Sequence, residues 1–202
     1  FCKLILDKKM ILPVIAYGDP VLRAECEEVE EGTDMTSVLK DMRDTMHQAS
    51  GVGLAAPQVG KSIRLFIVDA SPFAEEEPEN EEEAQNFEIL KDFKKVFINP
   101  IIEEERGKKW AFSEGCLSIP GIREEVIREN IVKISYFDEE WNFHEEEYTG
   151  VAARIIQHEY DHIEGILFTD HLNPLKKRML KRRLTDISKG EVSVTYRMKF
   201  PK

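Results

Sequence analysis

One pentapeptide constrains this chain more than any other feature: His158-Glu159-Tyr160-Asp161-His162. It has the form H-E-x-x-H. Residues four apart lie on one face of a helix, so the segment must be helical if His158 and His162 are to reach one metal ion. Glu159 then stands beside the ion without binding it. It is placed to take a proton from water and return it to a leaving group. The competing reading is a pair of surface histidines on a charged helix.

Two histidines need a third ligand. The run continues Ile163-Glu164-Gly165-Ile166-Leu167-Phe168. Phe168 stands where proteases of the form H-E-x-x-H-x-x-G-x-x-H carry their third histidine, which disfavours that class. His171 is near in sequence but lies past the helix end expected at Gly165. His144 falls in a strand-like charged segment and His47 in another helix. Cys116 is the better candidate, within Glu114-Gly115-Cys116-Leu117-Ser118. The neighbouring glycine lets backbone approach a metal, and a thiolate is a strong ligand for divalent iron or zinc. Taken alone, a free cysteine is more commonly a small buried apolar residue.

A third stretch, Gly51-Val52-Gly53-Leu54-Ala55-Ala56-Pro57-Gln58, is dense in small residues and ends in an amide. Such a loop brings backbone close to a ligand and holds one side-chain donor. It lacks the Lys-Ser/Thr ending of a phosphate loop, which argues against nucleotide binding.

In this order the three stretches resemble peptide deformylase, whose segments read G-x-G-L-A-A-x-Q, E-G-C-L-S and H-E-x-x-H. They stand here at residues 51–58, 114–118 and 158–162. The resemblance spans about residues 10–172. It implies a metal-dependent hydrolase that removes the formyl group from the N-terminal formyl-methionine of new polypeptides. It implies one divalent ion held by Cys116, His158 and His162, with water in the fourth position and Glu159 as the proton carrier. The Gln58 amide and the Leu117 backbone N–H would stabilise the oxyanion. The substrate methionine would fill an apolar pocket near Val52, Gly53, Val151 and Ile155. Arg154 sits among these where the family often has an apolar residue, and its long stem could line the pocket with the charged head outside. Cysteine with two histidines suits both iron and zinc. The family's use of iron makes Fe2+ the expected native ion, with Zn2+, Ni2+ or Co2+ able to replace it in purified protein. Two other classes stay open: a metallopeptidase, and a non-catalytic metal-binding protein completed by His171.

At 202 residues, 42% of them apolar, the chain fits one globular domain. Residues 10–172 are expected to form the catalytic part, and 173–202 a basic helix and terminal strand of the same domain. Residues 1–9 read as an extension or expression remnant ahead of Met10. No apolar run reaches the length of a membrane span, and no secretory signal is evident. Cys2, Cys26 and Cys116 are too scattered for a disulfide framework, and a cysteine ligand suits a reduced cytoplasm. The net charge is −11. Residues 74–92 carry nine acids and one lysine, a net of −8, which leaves −3 for the rest. The acidity therefore reads as one inserted surface loop with a helical half around 81–90, and says little about partners. The expected partner is a formylated nascent peptide, acted on by a monomer that binds neither DNA nor membrane. Lys176, Lys177, Arg178, Lys181, Arg182, Arg183 and Lys189, set against Asp186, make the tail basic. Such a helix can be drawn to the ribosome near its exit by a salt-sensitive attraction, or can be a solvated helix face.

Periodicity predicts a helix over 35–49, with Met35, Val38, Leu39, Met42 and Met46 on one stripe. Strands are expected over 64–69, over 96–102 with an interruption at Asn99-Pro100, and over 131–138. The last would pair with 143–148 through a turn near 139–142. The motif helix runs over 150–163, with Val151, Ile155 and Ile156 buried beside the histidines. A helix over 174–189 has Leu175, Met179, Leu180, Leu184 and Ile187 as its apolar side. A final strand over 191–200 alternates Val192, Val194 and Tyr196. The sum is an α+β fold, with mixed or antiparallel strands around a central metal-binding helix, like that of peptide deformylase.

Overall fold

The computed structural model of the protein describes residues 10–74 and 88–201. Its main sheet has five antiparallel strands in sequential order: β2 (Gly53–Ala55), β3 (Leu65–Asp69), β4 (Lys94–Cys116), β5 (Ile119–Phe137) and β6 (Phe143–Thr149). A second sheet pairs β1 (Val14–Ile15) in parallel with β7 (Met198–Lys199). Among the described residues the longest helices are α1 (Thr36–Gln48), α2 (Gly150–Ile163) and α3 (Pro174–Ser188). The expected α+β architecture is therefore present, with α2 at its centre.

α2 packs on the sheet through Ala153 and Ile156, which meet Phe66, Phe97, Val132 and Ile134 in one buried cluster. The Phe66 and Phe97 rings stack at 4.6 Å between centroids. α1 covers the opposite side through Leu39, Met42 and Met46 against Leu54, Leu65 and Ile67. Its apolar stripe matches the sequence expectation, and its first turn is capped by Asp34, which accepts the Thr36 N–H at 2.9 Å.

The strand expected over 96–102 proves to be only the start of β4, which runs 23 residues. The stretch 103–109 lacks apolar alternation because it is mostly exposed. Its pairing to β5 is held by backbone hydrogen bonds and cross-strand charges such as Lys109–Glu129 at 3.4 Å. Pairs of this kind contribute about 0.2–1 kcal/mol each. The interruption at Asn99 is real: its φ is 49° and the register shifts between Ile98 and Ile101. The Asn99 amide there bonds both the N–H and the C=O of Val29, at 2.8 Å each.

Two expectations for the tail need correction. In α3, Leu180, Leu184 and Ile187 are buried, but Leu175 and Met179 are 68% and 72% exposed. They lie outside the docked stripe, whose partners are Leu167 and Phe168. Residues 191–197 form no ladder; only Met198 and Lys199 do, because β1 offers just two partner residues. Within the acidic insertion, residues 88–91 are helical, and the remainder of the expected helical half lies outside the described residues.

Candidate active site

α2 and the β4–β5 hairpin build the site between them. Cys116 is the last residue of β4, and Leu117-Ser118 turn the chain into β5. α2 presents His158 and His162 from one face, as the spacing requires. The Cys116, His158 and His162 donor atoms all lie within 4.8 Å of one another. Sγ of Cys116 is 3.2 Å from Nε2 of His162. Bonds of about 2.0–2.3 Å from sulfur and nitrogen to a single ion fit this spacing. Among the described residues no other His, Cys, Asp or Glu cluster of this kind forms.

The competing histidines are engaged elsewhere. His171 Nε2 lies 2.7 Å from Asp161, His144 is 2.8 Å from Asp138, and His47 is 3.0 Å from Asp69. A centre closed by His171 is thus not what the chain builds. Three protein donors with an open position form the catalytic type of centre.

The donors are electrostatically prepared. Burial alone would raise the Cys116 thiol, but the His162 and His158 rings outweigh it and bring it down to about 5. Burial pushes the Glu159 carboxyl up to about 7, against the opposing pull of His158 and His162. Its Oε2 is buried without a hydrogen-bond partner. A buried, unpaired carboxyl oxygen is costly to keep, and perturbed acids of this sort concentrate at reaction centres.

Glu159 owes its place to Gly53. A Cβ built on Gly53 would come within 2.7 Å of Glu159 Cδ and 2.8 Å of Cγ. The strand and the helix can approach this closely only without a side chain at 53. Gly53→Ala is expected to displace the carboxylate and lower kcat by about 10²-fold, the loss that follows from roughly 1 Å of misplacement. Metal content should be unchanged. Kinetics beside metal analysis on the purified variant checks both, and turnover at the wild-type rate would show that the close approach is not needed.

Gln58 is buried in the short helical turn that follows β2. Its Oε1 accepts the Ala55 N–H at 2.8 Å, which fixes the amide. Its Nε2 then points toward Cys116 Sγ and Ser118 Oγ, at 3.4 Å each. Leu117 follows Cys116 directly, and its carbonyl accepts the Tyr196 hydroxyl at 2.7 Å. Val52, Gly53 and Ile155 line a cleft of about 520 Å³ that also holds Gln58, Cys116, His158 and Glu159. Val151 does not reach it. It stands at the start of α2, one turn before Ile155, and packs on the core under the sheet.

Arg154 behaves differently from expectation. Its side chain lines the cleft, but its charged head is buried rather than outside, with the residue 1% exposed. The guanidinium donates to Glu114 at 2.9 Å, to the Val126 carbonyl at 3.1 Å and to the Trp110 carbonyl at 2.8 Å. It also lies 4.8 Å from the centre of the Trp110 ring. Glu114 is the reason. This buried carboxylate also accepts from His158 Nδ1 at 2.9 Å and from Arg128 at 2.8 and 3.0 Å. Burial would raise its pKa, but His158 and Arg128 hold it well below the usual carboxylate range. The sequence named Glu114 only as part of a motif and missed Arg128 entirely. The available signal was an arginine in the inward register of β5, two residues from buried Val126.

A three-donor centre with an adjacent buried acid, set between an antiparallel sheet and a helix, is the arrangement of a metal-dependent hydrolase. Comparison with known proteins narrows the class. The model of the family described as polypeptide deformylase matches residues 11–178. The chain is 55% identical over 193 residues to peptide deformylase of Christiangramia forsetii, covering 95% of this chain and 97% of the relative. It is 44% identical to that of Salinibacter ruber, with 93% of each covered. Among solved structures, Arabidopsis thaliana peptide deformylase 1B in complex with an inhibitor superposes with a TM-score of 0.75 at 31% identity, covering 89% of this chain and 92% of the other. The Plasmodium falciparum enzyme gives 0.73 at 35% identity, covering 88% and 95%. The chain belongs to the polypeptide deformylase family.

Proposed function

We propose that Cys116, His158 and His162 hold one divalent ion with which the chain removes the formyl group from the N-terminal formyl-methionine of nascent polypeptides. The observation that carries this is the convergence of the three donors on one point, with Cys116, His158 and Glu159, whose Oε2 has no partner, lining one cleft beside it. The family is metal-dependent, and the donor set fits such an ion. When bound, the ion supplies a Lewis acid and lowers the pKa of water to about 7.

The chain's own residues do the rest. Glu159 accepts the proton of the attacking water. The water oxygen bonds to the formyl carbon, and the Gln58 Nε2–H and Leu117 N–H stabilise the charge developing on the carbonyl oxygen. Glu159 then protonates the amide nitrogen, the C–N bond breaks, and formate and a free amine leave. Val52, Gly53 and Ile155 offer the methionine side chain an apolar wall. Assay of a formyl-methionyl peptide beside its acetylated analogue tests the reading: turnover of the first alone is expected, and equal turnover of both would overturn it. Iron is the native ion in this reading. Protein purified without oxygen should then carry iron and be most active with it, and full activity with zinc alone would remove that assignment.

The protein is read as one domain over 10–202, acting as a cytoplasmic monomer where nascent chains emerge. The outward side of α3 suits a place near the ribosome exit. Arg178, Lys181 and Arg182 are exposed, and contacts to phosphate are salt-sensitive. Reversing these three to Glu should leave turnover of a short formyl peptide intact and reduce co-sedimentation with ribosomes at low salt. Unchanged co-sedimentation would leave α3 as a solvated face.

A further inference from the structure

The cleft has a wall that the three motifs do not supply. Ser193, Val194, Thr195 and Tyr196 line it together with Cys116, His158 and Glu159. These four residues belong to the segment that leaves α3 and returns to β1. The segment is pinned along its length. Gly190, at φ +77°, turns the chain out of α3, and a Cβ there would lie 3.4 Å from the Phe200 ring. Val192 packs on the buried cluster beneath α3. The Tyr196 hydroxyl donates to the Leu117 carbonyl at 2.7 Å, one residue from Cys116. Beyond it, the Arg197 and Lys199 carbonyls accept the Val14 and Ala16 N–H groups at 2.9 Å each. An arc held at both ends is thereby laid against the mouth of the site, with Ser193 and Thr195 exposed on it.

The cleft is also larger than a single side chain needs. About 520 Å³ falls in the range of roughly 300–1,000 Å³ that takes a drug-sized ligand. With the formyl carbon at the donor cluster and methionine against Val52 and Ile155, the following residues of the peptide must run along the cleft toward its rim.

Building on the deformylase reading, we infer that the arc 193–196 is a specificity-determining wall that contacts the substrate residues following the formyl-methionine. Its exposed polar positions meet side chains that vary from one nascent chain to the next. The Tyr196–Leu117 bond keeps the arc in fixed relation to the reacting centre.

Charge placed on the arc tests this. Thr195 is exposed, so Thr195→Glu and Thr195→Lys both leave the core intact. The readout is the ratio of kcat/KM for formyl-Met-Ala-Lys to that for formyl-Met-Ala-Glu, at low salt. Thr195→Glu should raise the ratio and Thr195→Lys lower it, each by about two- to five-fold, as for partly exposed charge pairs. A purely structural role for the arc would lower both substrates together and leave the ratio at its wild-type value in both variants, which would overturn the inference. Wild-type protein inert toward both peptides would instead remove the deformylase reading, and the wall with it.

Discussion

Glu159→Ala is expected to lower kcat for formyl-peptide hydrolysis by about 10²–10⁴-fold, the usual contribution of a positioned proton carrier, while metal content stays at the wild-type level. The two halves of this result come from separate observations. Glu159 is not part of the donor cluster, which consists of Cys116, His158 and His162. Its carboxyl is buried beside them, and Oε2 has no partner. Stability should not fall as it does for other core truncations. The residue removed is a buried acid with an unpaired oxygen, whose desolvation opposes folding. Thermal unfolding, metal analysis and kinetics on one preparation decide the matter. Loss of metal in step with activity would make Glu159 a ligand, and near-normal turnover would end its role as proton carrier.

The legibility of the site in the sequence follows from how local each part is. His158, Glu159 and His162 sit within one helical turn and a half, so their geometry is fixed by the helix itself. Gln58 and Gly53 lie in one short segment, and the small residues announced a close approach, although its partner, Glu159, was not readable. Cys116 had to be chosen among four candidates, and only the fold shows that His47, His144 and His171 each face a carboxylate. Long-range polar contacts left no periodic trace. Arg154 was expected to point its head outward because an isolated arginine does so. It is buried because Glu114, forty positions away, waits for it. The fold shows the same division. α1 and α2 follow from their apolar stripes, whereas the exposed middle of β4 carries charges on both faces and so lacks the alternation that marks a half-buried strand. Leu175 and Met179 misled for a related reason: a helix docked on one side keeps whatever apolar residues lie outside its contact stripe.

The second large effect belongs to a residue outside the donor cluster. Glu114→Gln should loosen metal binding by about 10–100-fold, the usual loss when the partner of a ligating histidine is altered. The carboxylate faces His158 Nδ1 at 2.9 Å, so it fixes the ring with Nε2 directed at the donor cluster. It also balances two buried guanidinium groups: Arg128, which has Asp161 as a second partner at 2.7 Å, and Arg154, whose other two acceptors are neutral carbonyls. Taking away the shared charge leaves Arg154 buried without an ionic partner. Breaking a buried pair in this way costs about 3–5 kcal/mol, a large part of a typical domain's 5–15 kcal/mol. Two measurements separate the effects. Chemical denaturation of metal-free protein reads the loss of the ion network alone. Metal titration of the folded variant reads the loss of histidine orientation, and saturating metal should restore part of the stability through mass action. Arg154→Met in the Glu114→Gln background supplies the final check, because it removes the orphaned charge but not the disordered histidine. It should recover stability and leave metal affinity low. Recovery of both together would mean that His158 is held by the packing around it and not by Glu114.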